Sequence, residues 1–209
     1  MEAPVKGKRP YDTKLRQEQA GLTRQRILEA ARRLLIAAGY SQVTMQDVAG
    51  EAGVAYQTLY AQFGSKLQLA LELCASEFPH VGQAVGKLAA ARSAGDPERW
   101  LRTIGKFARF LYEPCADVLR FMRESGDADL LGRYREIERG RLEQLADIGP
   151  QLQRAGKLRD GLTPSVAVDI VWSLTGPETY AQLVLDRGWT PDHFERWLDA
   201  ALVGLILSQ

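Results

Sequence analysis

The chain has 209 residues and nearly balanced charge, with 27 Lys and Arg against 26 Asp and Glu. Its content of 45% apolar and 25% charged residues is typical of a globular protein and excludes a disordered or collagen-like chain. The charge is unevenly distributed, because residues 1–66 contain ten basic and six acidic side chains, whereas residues 67–209 contain 17 and 20. A basic N-terminal part therefore precedes a mildly acidic body.

The cysteine content and the apolar pattern indicate the cellular compartment. Cys74 and Cys115 are too few for a disulfide framework, which favours a reduced, intracellular chain. The N-terminus lacks the apolar core of a signal peptide, and no stretch approaches the roughly 18–20 apolar residues of a membrane span. These features predict a soluble, cytoplasmic protein with no membrane partner.

The first predicted helix follows a polar N-terminal segment. Residues 1–20 show no periodicity and contain two prolines, so we expect a flexible basic arm. From Thr23 onward, apolar residues recur at helical spacing up to Gly39. Thr23 is a candidate N-cap and Gly39 a candidate left-handed C-terminal residue.

Two short helices are predicted next. Thr44 and Asp47 form a capping-box pair at the start of the second helix, and Gly53 ends it. The third helix is predicted over about Ala55–Phe63, and a fourth starts at Ser65. A long helix, a short helix, a glycine-containing turn and another short helix are typical of a helix-turn-helix.

The remaining chain also has helical periodicity and no strand pattern, so the predicted fold class is all-α. Pro79 is expected to kink or end the fourth helix, and Gly176-Pro177 to break a later one. Further helices are predicted from about Pro97, from Val118 to Gly126, from Ala128 to Ala155, from Pro164 to Arg187 and from Pro191 to Leu207.

Residues 44–66 resemble the tetracycline-repressor (TetR) family of transcriptional regulators. The resemblance covers about residues 22–73 and implies a three-helix DNA-binding domain at 21–66. It also implies a larger helical effector-binding and dimerisation domain at 67–209. It depends on Thr44, Val48-Ala49, Ala52-Gly53-Val54, Thr58-Leu59-Tyr60, Phe63 and Ser65-Lys66, with Ile27, Ala31, Leu35 and Gly39 upstream.

Candidate phosphate contacts lie near the starts of the short helices. Tyr60 has a hydroxyl on a long, rigid ring, and Lys66 lies at a helix N-terminus, which favours an anion. Thr44 and Thr58 offer short hydroxyl groups. Arg24 and Arg26, together with the arm, are expected to meet the DNA backbone or an adjacent minor groove.

Candidate base contacts lie at the start of the third helix, which the resemblance identifies as the recognition helix. Tyr56 and Gln57 are exposed there in the prediction, and Gln can hydrogen-bond adenine through two atoms. Ala55, Gln57 and Gln62 depart from the family pattern, so one hydroxyl contact is missing at Ala55 and the base-reading surface is individual. A core tyrosine at Tyr60 and a solvated lysine at Lys66 are the alternatives for single residues.

Aromatic and sulfur-containing side chains in the body are candidates for a mostly apolar effector pocket. The alternative is that these residues form an ordinary core. The resemblance implies a small, lipophilic or aromatic effector. The candidates are Trp100, Phe107, Phe110, Phe121, Met122, Tyr134, Trp172 and Tyr180.

The two last helices have more apolar surface than one core face requires. The C-terminal helix includes Phe194, Trp197 and Leu205, and the helix over Val166–Leu174 is similar. We therefore expect a homodimer through this pair, with Trp197 as its anchor. The alternative is that one of the two helices is central core.

These observations predict a transcriptional regulator, most simply a ligand-released repressor that binds a palindromic operator in double-stranded DNA as a dimer. The alternative is a small-molecule-binding or structural helical protein that does not bind DNA. An enzyme is not expected, because the chain lacks phosphate-loop and nucleophile motifs. No cofactor and no metal are predicted, since Cys74 and His80 have no standard zinc spacing.

Overall fold

The computed structural model describes residues 11–76 and 81–208. In these residues the regular structure is helical, with one isolated antiparallel bridge between Leu158 and Leu207. The predicted all-α fold is confirmed. The chain divides into two compact units, Met1–Leu73 and Cys74–Gln209. This division lies seven residues after the predicted domain boundary at residue 66.

The first unit contains three helices and the start of a fourth. Its core combines small and branched apolar side chains from the first three helices, including Leu59, with the buried ring of Phe63. No helix in the described ranges is long and apolar enough to cross a bilayer. The helices are α1 (Tyr11–Ala38), α2 (Met45–Ala52), α3 (Tyr56–Phe63) and α4 (Lys66–Ser76).

The prediction of a flexible arm over residues 1–20 was wrong for residues 11–20, which belong to α1. Residues 1–10 lie outside the described residues. The segment from Tyr11 to Leu22 lacks proline and is rich in Lys, Arg, Gln, Glu and Leu, which are good helix formers. Extending a nucleated helix costs little, so α1 begins twelve residues before the expected cap at Thr23.

The second unit contains the remaining helices. N-cap side chains define several of their starts, because Asp96, Asp127, Thr163 and Thr190 each accept a backbone N–H hydrogen bond. Pro79 lies outside the described residues. The helices are α5 (Val81–Ser93), α6 (Pro97–Tyr112), α7 (Ala116–Glu124), α8 (Ala128–Leu145), α9 (Ile148–Arg154), α10 (Pro164–Leu174), α11 (Pro177–Tyr180), continued by a π-helical segment (Ala181–Asp186), and α12 (Pro191–Ile206).

The single helix predicted over Ala128–Ala155 is two helices, α8 and α9. Pro150 explains the break, because a proline ring in a continuous helix would clash with the carbonyl four residues earlier, at Ala146. The chain therefore turns at Ala146 and Asp147 before α9 begins. The expected break at Gly176-Pro177 is present between α10 and α11.

Helix α12 packs along α6 through one buried stripe. Gly105 lies at this crossing, where an added Cβ would stand 3.6 Å from Cδ1 of Leu202 and 3.8 Å from Cγ of Leu198, which is ordinary contact. The ring of Phe194 meets Tyr180 edge to face, with centroids 4.8 Å apart. The buried stripe consists of Phe194, Leu198, Leu202 and Ile206.

Candidate nucleic-acid interface and ligand cavity

Helix α2 and the turn after it are held by local hydrogen bonds. The Thr44 hydroxyl oxygen accepts from the Asp47 N–H at 3.1 Å, and Asp47 Oδ2 accepts from the Thr44 N–H at 2.8 Å and from the hydroxyl at 2.6 Å. The side-chain and backbone hydrogen bonds from Thr44 lower the pKa of Asp47. Gly53 adopts φ 63°, and the Val54 N–H donates to Ala49 O at 3.0 Å. Together these bonds set the direction in which α3 leaves the turn.

Helix α3 buries one side and exposes the other. Leu59 and Phe63 are 0% and 3% exposed. Tyr56 and Tyr60 are 40% and 54% exposed and lie one turn apart, with ring centroids 6.0 Å apart and an interplanar angle of 23°. The helix thus presents a stacked tyrosine pair to its surroundings.

The other polar candidates on α3 extend the same surface. Gln57 and Thr58 are exposed. Ala55 is the N-cap and makes no side-chain cap hydrogen bond, which agrees with the expected loss of one hydroxyl. Gln62 is half-buried, and its Oε1 has no hydrogen-bond partner among the described residues. Gln62 therefore contributes less to the exposed surface than Gln57.

The two arginines of α1 have different surroundings. Arg24 pairs with Glu72, and its guanidinium carbon lies 4.8 Å from the Phe63 ring centroid. Arg24 thus packs on the end of α3, and because its side chain remains 45% exposed, its DNA contact stays a prediction. Arg26 is exposed and stays a candidate for a backbone contact.

Lys66 makes contacts within the unit that the sequence did not predict. Its ammonium donates to the carbonyl oxygens of Tyr40 at 2.8 Å and Val43 at 3.0 Å, and stands 4.3 Å from the Tyr40 ring centroid. Two of the three ammonium N–H groups are thus directed to the α1–α2 loop, so we expect Lys66 to hold this loop rather than a phosphate. The hydroxyl proton of Thr44 is likewise directed to Asp47. The sequence carried no signal for the Lys66 contact, because its hydrogen-bond acceptors are backbone oxygens.

We expect Lys66→Ala to lower the free energy of unfolding by about 1–2 kcal/mol, since two part-buried carbonyls lose a charged donor. The salt dependence of DNA binding should stay unchanged, because no phosphate contact is removed. Thermal unfolding and DNA titrations at several salt concentrations measure the two effects. Lys106→Ala, at an exposed site on α6, is the control. A salt slope that falls by about one unit would restore the phosphate role.

The predicted effector residues do not share one pocket. Four of them are buried and form ordinary core, which is the alternative that the sequence left open. Their exposed fractions are at most 1% for Trp100, Met122 and Tyr180 and 7% for Phe121. Phe110 is 51% exposed. Burial raises the pKa of Tyr180 to about 12.

Phe107 lines a cavity of about 30 Å³ between α5, α6 and α8. Most of the wall is apolar, and Arg141 is the charged side chain among its described lining residues. Burial raises the pKa of Tyr112 well above its ordinary value, so its hydroxyl stays protonated. The lining comprises Leu88, Ile104, Phe107, Ala108, Leu111, Tyr112, Arg141, Gln144, Leu145 and Thr175.

A nearly buried ion pair lies beside this cavity. Arg141 Nη2 is 2.6 Å from Glu138 Oε2, and the two side chains are 14% and 12% exposed. Arg141 Nη1 also donates to Trp172 O at 2.7 Å and to Thr175 Oγ1 at 3.3 Å. The guanidinium carbon lies 5.1 Å from the ring centroid of Trp172, which is half-buried.

Tyr134 belongs to a different, polar cleft of about 210 Å³ between α7, α8 and the segment that follows α10. Its hydroxyl donates to Glu178, and Arg120 donates to both carboxylate oxygens of Asp186 at 2.7 Å. The charged walls of this cleft do not suit the apolar effector that the sequence predicts.

Helix α1 packs on α2, and a glycine turn joins α2 to α3, which is exposed on one side. This arrangement defines the helix-turn-helix class of DNA-binding proteins. Residues 27–73 match the model of the bacterial regulatory proteins of the tetR family. This match confirms the predicted resemblance of the N-terminal segment to the tetR family. The family consists of regulators, in agreement with the prediction that the chain is not an enzyme.

One curated relative and two solved structures extend the comparison. The chain is 43% identical over 68 residues to the HTH-type transcriptional regulator AlkX of Mycobacterium tuberculosis, a match over 32% of this chain and 30% of that protein's length. NalD, the secondary repressor of the MexAB-OprM multidrug efflux pump of Pseudomonas aeruginosa, has a TM-score of 0.68 and 20% identity over 92% of this chain and 99% of NalD. FadR of Bacillus subtilis, in complex with stearoyl-CoA, has a TM-score of 0.63 and 20% identity over 87% and 98%. At such identity, the two structures show a similar fold for the matched part of the chain and nothing further.

Proposed function

We propose that this protein is a transcriptional repressor of the cytoplasm that binds a palindromic DNA operator as a homodimer and is released by a small molecule. The observation that carries the proposal is the exposed surface of α3 on a packed helix-turn-helix unit. Tyr56, Gln57, Thr58 and Tyr60 lie on this surface. A helix of this kind fits the major groove, about 12 Å wide.

Operator binding is tested by fluorescence anisotropy with the DNA upstream of the protein's own gene. We expect saturable binding that survives excess unrelated DNA, since specific sites are typically 10³–10⁷ tighter than nonspecific ones. Equal binding to both DNAs would refute the operator. No binding to either would favour the alternative of a helical protein that does not bind DNA.

Gln57 is proposed to read a base. It lies at the exposed N-terminal end of α3, where recognition helices reach base edges. We expect Gln57→Ala to change sequence preference more than overall affinity, because a two-atom contact contributes about 1–3 kcal/mol of discrimination. Selection of binding sites from random DNA measures this, with Gln153→Ala, at an exposed site on α9, as the control. An identical selected operator for variant and parent would reject the role.

Tyr60, Thr58 and Arg26 are proposed to bind the DNA backbone. All three side chains are exposed, and the Tyr60 hydroxyl extends from a ring that Tyr56 supports by stacking. Contacts of this kind orient a protein on DNA without reading its sequence. Tyr60→Phe should therefore weaken binding about equally on all DNA sequences.

The dimer is proposed to form through α10 and α12. Helix α12 buries one stripe against α6, yet Leu205 remains 44% exposed, and Val166 on α10 is also 44% exposed. Apolar groups left exposed on adjacent helices support an interface. Trp197 is less suited as the anchor than expected, because its ring packs on Trp189 and Phe194 at centroid distances of 5.8 and 6.0 Å.

We expect Val166→Lys combined with Leu205→Lys to convert the dimer to monomer, because two charges would be buried at each contact. Operator affinity should fall with it, since two half-sites are read together only by a dimer. Light scattering measures the mass, and circular dichroism checks the fold. Leu142→Lys, on α8 and 40% exposed, is the control. A dimer that persists would place the interface elsewhere.

Release by a ligand follows from linkage. The two recognition helices of the dimer must enter successive major grooves about 34–36 Å apart. A small molecule that binds better to a form of the dimer with a different helix spacing therefore weakens DNA binding. DNA then weakens binding of the molecule by the same factor. The FadR structure with stearoyl-CoA supports ligand binding within this fold. Addition of ligand to the protein–operator complex tests release directly.

A further inference from the structure

We propose that α3 selects adenine–thymine base pairs in the major groove, through the amide of Gln57 and the ring of Tyr56. The proposal rests on the proposed function, in which this helix binds an operator, and adds the base pairs that the operator must present to it. Three features support it: a helix without charged side chains, one exposed amide, and an apolar surface at the start of the helix.

Helix α3 contains no charged side chain between Tyr56 and Phe63. Arg and Lys are the usual side chains that recognise guanine, and Asp and Glu are those that accept from cytosine. The nearest charged residues along the chain have partners within the unit, because Glu51 pairs with Arg33 at 2.9 Å and Lys66 donates to two backbone carbonyls. The helix therefore lacks the usual groups that select G·C pairs.

Gln57 supplies the exposed amide of α3. The other glutamine of the helix, Gln62, is half-buried near its C-terminal end, and its Oε1 is buried. An amide matches adenine, because its oxygen accepts from the N6 amino group while its nitrogen donates to N7. Guanine offers two acceptors, N7 and O6, at the same edge, so one of the two hydrogen bonds would be lost there. The amide therefore favours adenine over guanine.

An apolar surface lies directly before Gln57. The Tyr56 ring is 40% exposed and stacks on Tyr60 at a centroid distance of 6.0 Å, so its orientation is held before DNA is bound. Ala55 is exposed and adds a methyl group next to Tyr56 in the chain. Thymine is the base that presents a methyl group in the major groove, and apolar side chains select it by contact. This surface therefore favours thymine.

The two contacts require base pairs of the same kind. Tyr56 and Gln57 are consecutive residues, separated by a helical rise of about 1.5 Å, whereas neighbouring base pairs are about 3.4 Å apart. The two side chains therefore reach one base pair or two adjacent ones. An A·T pair presents both the adenine edge and the thymine methyl group, so a short run of A·T pairs satisfies both contacts.

The first experiment identifies the base pairs under α3. Operators are selected from random DNA with the full-length protein and with Gln57→Ala and Tyr56→Ala, and the positions at which a variant relaxes the selection are those that α3 reads. We expect A·T pairs at these positions. G·C pairs there would overturn the proposal. It would also be overturned if neither variant relaxed the selection at any position.

Modified base pairs at these positions then separate major-groove reading from recognition of the minor groove. Inosine·cytosine keeps the minor-groove pattern of A·T but presents the major-groove pattern of G·C, and diaminopurine·thymine does the reverse. We expect inosine·cytosine to weaken binding at least about tenfold and diaminopurine·thymine to change it less than about twofold. Equal effects or the opposite ranking would assign the preference to the minor groove or to DNA shape and overturn the proposal.

Uracil in place of thymine tests the Tyr56 contact, since it removes only the methyl group. We expect a loss of about fourfold for the parent and for Gln153→Ala, and none for Tyr56→Ala. Tyr60→Phe keeps the stacked ring and should retain the fourfold ratio, whereas Tyr60→Ala removes the support of Tyr56 and should reduce the ratio. The same loss in Tyr56→Ala as in the parent would overturn the thymine contact.

These assays separate the proposal from the proposed function. A selection that yields no operator would refute both. An operator in which G·C pairs respond to Gln57→Ala or Tyr56→Ala would refute the selection of A·T pairs and leave operator binding standing.

Discussion

Gly149→Ala is expected to lower the free energy of unfolding by about 3 kcal/mol, at the upper end for an overpacked site. Helices α9 and α10 approach so closely here that a Cβ on Gly149 would overlap the carbonyl of Pro164, lying 2.7 Å from its carbon. This neighbour is backbone at the start of a helix, so it cannot rotate away as a side chain can. The methyl group must therefore separate the two helices.

Thermal unfolding measures this effect, and a loss of that size shifts the midpoint by about 6–12 °C in a chain of this length. Gly105→Ala is the matched control, since it adds the same methyl group where the neighbouring leucine atoms lie at ordinary contact distance. This control should be neutral or stabilising by about 0.5–1 kcal/mol, because alanine favours a helix interior over glycine. Equal stability of both variants would contradict the close approach.

Glu138→Ala is expected to lower the free energy of unfolding by about 3–5 kcal/mol, because it leaves the nearly buried Arg141 without its carboxylate partner. The chain contains a matched control in Arg133 and Glu136, an ion pair with the same three-residue separation on the same helix but 59% and 60% exposed. Glu136→Ala should change stability by less than about 1 kcal/mol, because exposed pairs contribute little.

Chemical denaturation of both variants measures how much the burial of an ion pair, rather than pairing alone, contributes to stability. The double variant Glu138→Met with Arg141→Met should recover much of the loss, since apolar side chains of similar volume can replace a buried pair. If Glu138→Ala lowered the free energy of unfolding as little as Glu136→Ala, Arg141 would have to find another acceptor or reach solvent.

The sequence alone determined the features that arise from neighbouring residues. The capping box of Thr44 and Asp47, the turn at Gly53 and the exposure of Tyr56 and Gln57 on α3 all follow from spacing within a few residues. Caps and turns are local hydrogen-bond arrangements, so the residues that form them are visible in the sequence. The starts of α10 and α12 at Thr163 and Thr190 belong to the same group.

Only the tertiary structure decided which polar groups were available for binding and which aromatic side chains formed core. Lys66 donates to backbone carbonyls more than twenty residues away, and Arg24 pairs with Glu72. Trp100 and Tyr180 are buried in the core, whereas Phe107 reaches the cavity. An aromatic side chain at helical spacing has the same sequence pattern whether it lies in the core, lines a cavity or is exposed. Their difference arises from which helix packs opposite, and that depends on contacts distant in the chain.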